Sequence, residues 1–189
     1  EGFIQRMIRV PFGSHIFLGP VGCGKTTKAK KLAQRIANHH GYEVECVNMY
    51  AEDVPSFAST ISIDSLVARM AKVKKYLDSL ADADEDEEAA GGTEPKKEVS
   101  LPAKGKVIII DEAILAMGSN ANDPGRKAAL QALAQCRHLD WHVIYIGQAA
   151  GQLPLPLLGQ ATVWVGKPSG REYLTDRDNP IVRDLWERA

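Results

Sequence analysis

The stretch His15-Ile16-Phe17-Leu18-Gly19-Pro20-Val21-Gly22-Cys23-Gly24-Lys25-Thr26-Thr27 passes from an apolar run through three closely spaced glycines into a lysine and two threonines. It satisfies G-x-x-x-x-G-K-[ST] at each fixed position, the P-loop or Walker A pattern. A chain that carries it must place a buried strand, a tight backbone bend and a helix start in succession. Gly19, Gly22 and Gly24 let the bend close without Cβ clashes and turn successive N–H groups toward phosphate oxygens. The Lys25 ammonium can then reach the β- and γ-phosphates, the Thr26 hydroxyl can ligate Mg²⁺, and the helix N-terminus adds about half a positive charge. The loop residues Gly19, Pro20, Val21, Gly22, Cys23, Gly24, Lys25, Thr26 and Thr27 are therefore the expected nucleotide-binding set. A glycine turn ahead of an ordinary helix is the competing reading, and the flanking strand and helix argue against it.

A second run supplies the acids that such a loop needs. Lys106 opens Val107-Ile108-Ile109-Ile110, wholly apolar and so suited to a strand covered on both faces, and the run ends in Asp111-Glu112. This matches a Walker B element: Asp111 is placed to hold Mg²⁺ through water, and Glu112 to orient and polarise the water that attacks a γ-phosphate. Two acids that merely end a strand are the plain alternative. A third candidate is Gln148, which follows the apolar strand His142 to Ile146 and would sit at the carboxyl edge of the sheet. If that strand lies between the other two, the Gln148 amide can bridge the γ-phosphate and the attacking water.

Between these landmarks the apolar spacing alternates between helix and strand. Ala29, Leu32, Ala33, Ile36 and Ala37 recur at helical spacing and Gly41 supplies a stop, so residues 25–40 are expected to be helical, with Lys28, Lys30, Lys31 and Arg35 on a solvated side. Tyr42 to Met49 suits a strand. A loop through Pro55 leads to a second helix striped by Ile63, Leu66, Val67, Met70, Val73 and Leu77. Six carboxylates then crowd residues 82–88, followed by Gly91-Gly92, and residues 82–104 are expected to form a mobile acidic loop inserted before the Walker B strand. Asp123-Pro124 caps a third helix that turns Ala129, Leu130, Leu133 and Ala134 inward. Ala161 to Val165 is a further strand, and Asn179-Pro180 starts a last helix. Residues 3–10 suit an added edge strand or an ordered arm. The expected class is α/β, with a mostly parallel central sheet flanked by helices and one domain over residues 1–189.

Composition bounds the partners. The net charge is −1, so any nucleic-acid contact must come from a local patch or a ring of subunits. Cys23, Cys46 and Cys136 are widely spaced and odd in number, which fits reduced thiols in a cytoplasmic compartment, with no structural zinc and no disulfide. No apolar run approaches the ~18 residues of a membrane span, so no membrane insertion is expected.

Gly19 to Thr26, Ile108 to Glu112, the segment Cys136-Arg137-His138-Leu139-Asp140-Trp141-His142 with its strand ending at Gln148, and the proline-leucine turn from Leu153 to Leu158 together resemble the HerA/FtsK superfamily of DNA-translocating ATPases. The likeness spans about residues 14 to 166. The glycine loop and the Asp-Glu pair are shared with many ATPases, whereas the strand-terminal glutamine preceded by Arg137-His138 points to this branch. The resemblance implies a RecA-like (ASCE) P-loop core that works with Mg²⁺ and ATP as a hexameric homo-oligomeric ring around double-stranded DNA. It also implies that an arginine of one subunit completes the next subunit's site, with Arg137 and Arg126 as candidates and Arg171 in reserve. A bare core of this size is most similar to the small genome-packaging ATPases of membrane-containing icosahedral viruses. That would add capsid or membrane-vertex proteins as partners and place the chain in the host cytoplasm or at a virion vertex. The acidic insertion at 82–104 departs from the family pattern.

Two other classes remain compatible with the same residues. Gly19-Pro20, Gly24 to Thr27 and Asp111-Glu112-Ala113 also look like the thymidine kinase pattern, although Cys136 alone follows the acids where that family carries a zinc-binding cysteine quartet. A non-motor P-loop ATPase switch is the other.

Overall fold

The computed structural model describes residues 3–87, 104–112, 129, 133, 136–148 and 161–165. In chain order these form α1 (Phe3–Arg9), β1 (Gly13–Leu18), α2 (Lys25–His40), β2 (Glu43–Val47), a 3₁₀ turn (Ala51–Asp53), β3 (Ala58–Ile61) and α3 (Ile63–Glu87). There follow β4 (Lys106–Ile110), a second 3₁₀ turn (Cys136–Leu139), β5 (Trp141–Gly147) and β6 (Thr162–Val165). The six strands make one sheet in the order β3-β2-β4-β5-β1-β6, and every pairing is parallel.

The central strands are central because their sequences permit nothing else. All five residues of β4 and all seven of β5 are buried, as a strand covered on both faces requires. The pleat then sends alternate side chains to two cores. On one face Leu66, Met70 and Val73 of α3 pack with Ile16, Leu18, Val47, Ile108, Ile110, Val143 and Tyr145. On the other Ala29, Leu32, Ala33 and Ile36 of α2 pack with Phe17, Val44, Cys46, Ile109 and Ile144. The helices α2 and α3 thus lie on opposite sides of the sheet. Buried Ala129 and Leu133 are helical and belong to the α3 side, as their spacing predicts, while Leu130 and Ala134 lie outside the described residues.

Two polar clusters fix how the helices meet the sheet. On the α3 side, buried Glu45 accepts from Arg69 of α3 and, at 2.9 Å, from the Lys106 ammonium, which also reaches Glu43 at 2.8 Å. Burial alone would raise the Glu45 pKa, but the hydrogen bonds from Arg69 and Lys106 outweigh it and hold the group below the usual carboxylate range. On the α2 side the His142 Nε2–H donates to the Val10 carbonyl at 2.9 Å, so its Nδ1 is the acceptor for His15 Nε2–H at 3.2 Å. The His40 Nε2–H donates to the Ile8 carbonyl at 2.6 Å. The two carbonyls lie at the end of α1 and just after it, and these imidazoles tie that segment beneath β1, β5 and the C-terminus of α2.

Of the two alternatives for the N-terminal segment, the structure shows an ordered arm, the helix α1, packed through Ile8 on the α2-side core. The structure departs from the sequence reading at two places. β3 was not expected: its four residues Ala-Ser-Thr-Ile have no fully buried position, so an edge strand of this length leaves no apolar signature. Residues 82–87 continue α3 instead of opening the acidic loop, because Ala and Glu are good helix formers and the preceding turns already nucleate the helix. Residues 88–103 of that expected loop, the Asp123-Pro124 cap, the Leu153 to Leu158 turn and the last helix from Asn179 lie outside the described residues. Among the described residues no helix is long and apolar enough to cross a membrane.

Burial lowers the His15 pKa to about 3 and the His142 pKa to about 4, with His142 adding repulsion to His15 and His40 adding repulsion to His142. Both imidazoles therefore stay neutral in the folded protein while those of the unfolded chain bind protons below ~6.5. The stability they contribute is complete above that pH and is lost as the pH falls from 6.5 toward 4, by up to about 1.4 kcal/mol per pH unit for each group. The urea midpoint should drop steeply between pH 7 and pH 5, and the drop should be shallower in His15→Leu.

Candidate nucleotide site

The parallel register decides what stands at the carboxyl edge of the sheet. Leu18, the last residue of β1, is level with Gly147, and Ile110, the last of β4, is level with Tyr145. The glycine loop, Asp111-Glu112 and Gln148 therefore leave three adjacent strands on one edge, with β5 in the middle. They meet in a cleft of about 540 Å³ lined by Val21, Gly22, Lys25, Thr26, Asp111, Glu112 and Gln148, together with Asn48, Met49, Tyr50 and Asp53 from the segment after β2.

The loop is built for an anion. Gly22 and Gly24 have φ of 80° and 81°, the left-handed region that a residue with a Cβ enters only under strain. Gly24 is also the N-cap of α2 and offers no side-chain acceptor, so the N–H groups of the first helical turn are left to a ligand. The Lys25 ammonium lies back over the bend and donates to the Pro20 carbonyl at 2.8 Å, which leaves two of its three donors for phosphate. Gly19, Pro20, Cys23, Gly24 and Thr27 shape the bend or the helix start without lining the cleft.

The acids opposite are under electrostatic pressure. The pKa of Asp111 is raised by burial first and then by the carboxylates of Glu112 and Asp53, against the Glu112 N–H that donates to its Oδ1 at 2.8 Å and the Lys25 ammonium. A cation in the cleft would relieve that pressure. The donors at hand are the Thr26 hydroxyl and the Asp111 carboxylate, hard oxygens suited to Mg²⁺.

Sequence reasoning missed the wall after β2, and Asn48 above all. Asn48 has a φ of 55° and its Nδ2 donates to the Asp111 carbonyl at 3.1 Å, while the Asp111 N–H donates to the Val47 carbonyl at 3.0 Å. These bonds hold the peptide between Asp111 and Glu112, and Glu112 itself has a φ of 43°, a conformation that costs a non-glycine residue about 1–2 kcal/mol. Asn48 thus positions Glu112 through its backbone. The signal was an asparagine, which tolerates the left-handed region, at the exit of a buried strand; that this strand adjoins β4 is visible only in the sheet order.

Of the expected arginines, Arg137 is the one among the described residues, and it does not line this cleft. Exposed Arg137 is in the 3₁₀ turn before β5, its Nε 3.3 Å from the His138 ring, and so stands at the opposite end of that strand from Gln148. Arg126 and Arg171 lie outside the described residues. Cys23 and Cys46 are free thiols, and burial pushes that of Cys46 up to about 11.

Residues 15–162 match the family described as ATPase family associated with various cellular activities (AAA). No curated protein sequence matches the chain significantly. Among solved structures it is similar to the genome packaging NTPase B204 from Sulfolobus turreted icosahedral virus 2 in complex with ATP-gammaS, with a TM-score of 0.56 at 18% identity over 94% of this chain and 86% of that one. It is also similar to the pCW3 conjugation coupling protein TcpA in monomer form with ATPgS, with a TM-score of 0.50 at 14% identity over 80% of this chain and 48% of that one. At these identities the likeness is one of fold.

Asn48→Ala should lower the rate of ATP hydrolysis by about tenfold with little change in nucleotide affinity, the loss expected from one hydrogen bond and one strained backbone position. Phosphate release and equilibrium titration with a fluorescent nucleotide check the two halves separately. Equal losses in both would mean that Asn48 shapes the loop rather than the placement of Glu112.

Proposed function

Since the chain belongs to the ATPase family associated with various cellular activities (AAA), we propose that it couples ATP hydrolysis to the movement of double-stranded DNA, the cargo being a viral genome packed into a capsid. The observation that carries this reading is the position of β5. It lies between the strand of the glycine loop and the strand of the two acids, and it delivers Gln148 into the same cleft as Lys25 and Glu112. An amide there can sense whether a third phosphate is present and pass that on along the strand. A kinase needs no such element.

The division of labour follows from the site. Lys25 and the N–H groups of the loop bind the β- and γ-phosphates, and Thr26 and Asp111 hold Mg²⁺. The ion, once bound, would neutralise charge between the phosphates. Glu112 accepts the proton of the attacking water and holds that water in line, and Gln148 fixes it against the γ-phosphate. Arg137, Arg126 or Arg171 of a neighbouring copy supplies the remaining positive charge. Arg137 can act only in trans, because it stands at the far end of its own β5. A finger of this kind contributes on the order of 10³ to 10⁵ in rate, so an isolated subunit should be nearly inactive.

The DNA cargo, the hexameric ring and the capsid or membrane-vertex partners rest on the resemblance of Gln148 and Arg137-His138 to the HerA/FtsK pattern, and on the fold likeness to a protein described as a genome packaging NTPase. Host cytoplasm or a virion vertex is the location that this reading requires.

Lys25→Ala should weaken ATP binding roughly ten- to hundredfold, the value of hydrogen bonds to a charged group. Glu112→Gln should bind ATP normally and turn over about 10² to 10⁴ times more slowly. Duplex DNA should stimulate phosphate release by the unaltered protein. Phosphate transfer to a nucleoside instead would establish a kinase, and tight binding without turnover a switch.

A further inference from the structure

We infer that Asp53 is a positioning residue for the cation of the cleft: tied down by Lys30 of α2, its carboxylate accepts hydrogen bonds from the water molecules that the ion keeps. The inference rests on reading the cleft as a Mg–nucleotide site and names what stands behind the two direct ligands. Local hydrogen bonds fix the turn that carries Asp53. Its N–H donates to the Tyr50 carbonyl at 2.8 Å and the Val54 N–H to that of Ala51 at 3.3 Å, which closes the 3₁₀ turn ahead of Pro55. The Lys30 ammonium then meets the Asp53 Oδ1 at 3.3 Å. Lys28, Lys31 and Arg35 are exposed, as a solvated helix face requires, whereas the Lys30 side chain is 22% exposed and its charge reaches the buried Cys46 thiol of β2. Lys30 follows Thr26 by four residues, so the two share one row of α2, about 6 Å apart along its axis. The helix that presents the Thr26 hydroxyl thus also holds the third carboxylate of the cleft.

A carboxylate at this place needs a reason. By itself it repels a polyphosphate and adds to the negative charge of Asp111 and Glu112. The ion pair with Lys30 is not reason enough, because the Asp53 side chain is 50% exposed and a pair so open to water contributes little to stability. Lys30 takes Oδ1, and among the described residues Oδ2 has no partner. The other polar groups of the wall are engaged: Glu112 and Gln148 act on the attacking water, and the Asn48 amide holds the Asp111 carbonyl. Mg²⁺ gives up water reluctantly and keeps several molecules of it when one or two protein oxygens and the phosphates bind it. Thr26 and Asp111 supply the direct oxygens, so the retained waters need acceptors around them, and groups in that outer layer strongly affect how tightly the ion is held. Asp53 follows β2, which adjoins β4 and its Asp111, and it lines the same cleft. It is the charged acceptor that this wall offers.

The test uses the full chain, a non-hydrolysable ATP analogue and Mn²⁺ as the probe in place of Mg²⁺, with free Mn²⁺ read by electron paramagnetic resonance. Asp53→Asn should raise the half-saturating Mn²⁺ concentration by about ten- to hundredfold. Its affinity for a fluorescent ATP analogue in excess EDTA should equal the parent's or exceed it, since a repelling charge is gone. Adding Lys30→Met to Asp53→Asn should cause no further loss of Mn²⁺, because Lys30 acts through Asp53. An Asp53→Asn protein that binds Mn²⁺ like the parent but unfolds at lower urea would overturn the inference and make the pair a strut between α2 and the turn. Equal losses of Mn²⁺ and of metal-free nucleotide would overturn it too, since Asp53 would then shape the cleft. A parent protein that takes up no nucleotide with Mn²⁺ present would overturn the site reading and the inference with it, whereas a normal parent beside an indifferent Asp53→Asn overturns the inference alone. Loss of Mn²⁺ by Asp53→Asn, joined to ATP hydrolysis indifferent to duplex DNA, would overturn the motor reading and leave the inference standing.

Discussion

Parallel hydrogen bonding of β5 to both β1 and β4 is the constraint from which the site follows. It sets Leu18 beside Gly147 and Ile110 beside Tyr145, so that the glycine bend, the two acids and the glutamine emerge together. A slip of one residue in either ladder would turn the strand's side chains to the wrong core and move the chemistry by about 3.3 Å along the strand. The cost of such a slip is high because β4 and β5 are buried along their whole length. The apolar residues that hold the register are therefore as much a part of the site as the groups that line it.

Charge in the cleft is arranged as tension. Asp111 and Glu112 face an ammonium and the unpaired N–H groups of a helix start, with Asp53 as a third carboxylate on the same wall. Burial strengthens these interactions at Asp111. The bend and α2 attract phosphate, the acids attract a cation, and a Mg–nucleotide complex answers both demands at once. The backbone shares in the tension, since Asn48 and Glu112 both hold positive φ and are bound to each other's strands through the Asp111 peptide.

The opposite edge of the sheet is handled in two ways. On the α3 side the protein buries charge and pairs it, Glu45 with Arg69 and Lys106. On the α2 side it buries the His15 and His142 imidazoles and keeps them neutral, the His142 N–H satisfying the Val10 carbonyl just after α1. Pairing ties α3 to β2 and β4 across a wide pH range, whereas the histidine cluster loosens in acid. The helix that carries the phosphate loop at one end is thus tied at the other to the end of α1 through the His40–Ile8 hydrogen bond.

The sequence by itself determined whatever depends on short-range steric and apolar rules. The glycine spacing fixed the bend, the period of 3.6 in residues 25–40 and 63–77 fixed α2 and the body of α3, and continuous apolar runs identified β1, β4 and β5 as buried strands. Lys25, Thr26, Asp111, Glu112 and Gln148 were legible because each abuts such a run. Only the tertiary structure decided which strands are neighbours, since strand order is a choice among long-range pairings that leave no mark on local periodicity. For that reason Asn48, Tyr50 and Asp53 entered the site unannounced. The same limit hid β3, whose short edge position buries no residue fully, and the extension of α3 to Glu87, where helix propagation outweighed the charge repulsion that the composition alone suggested.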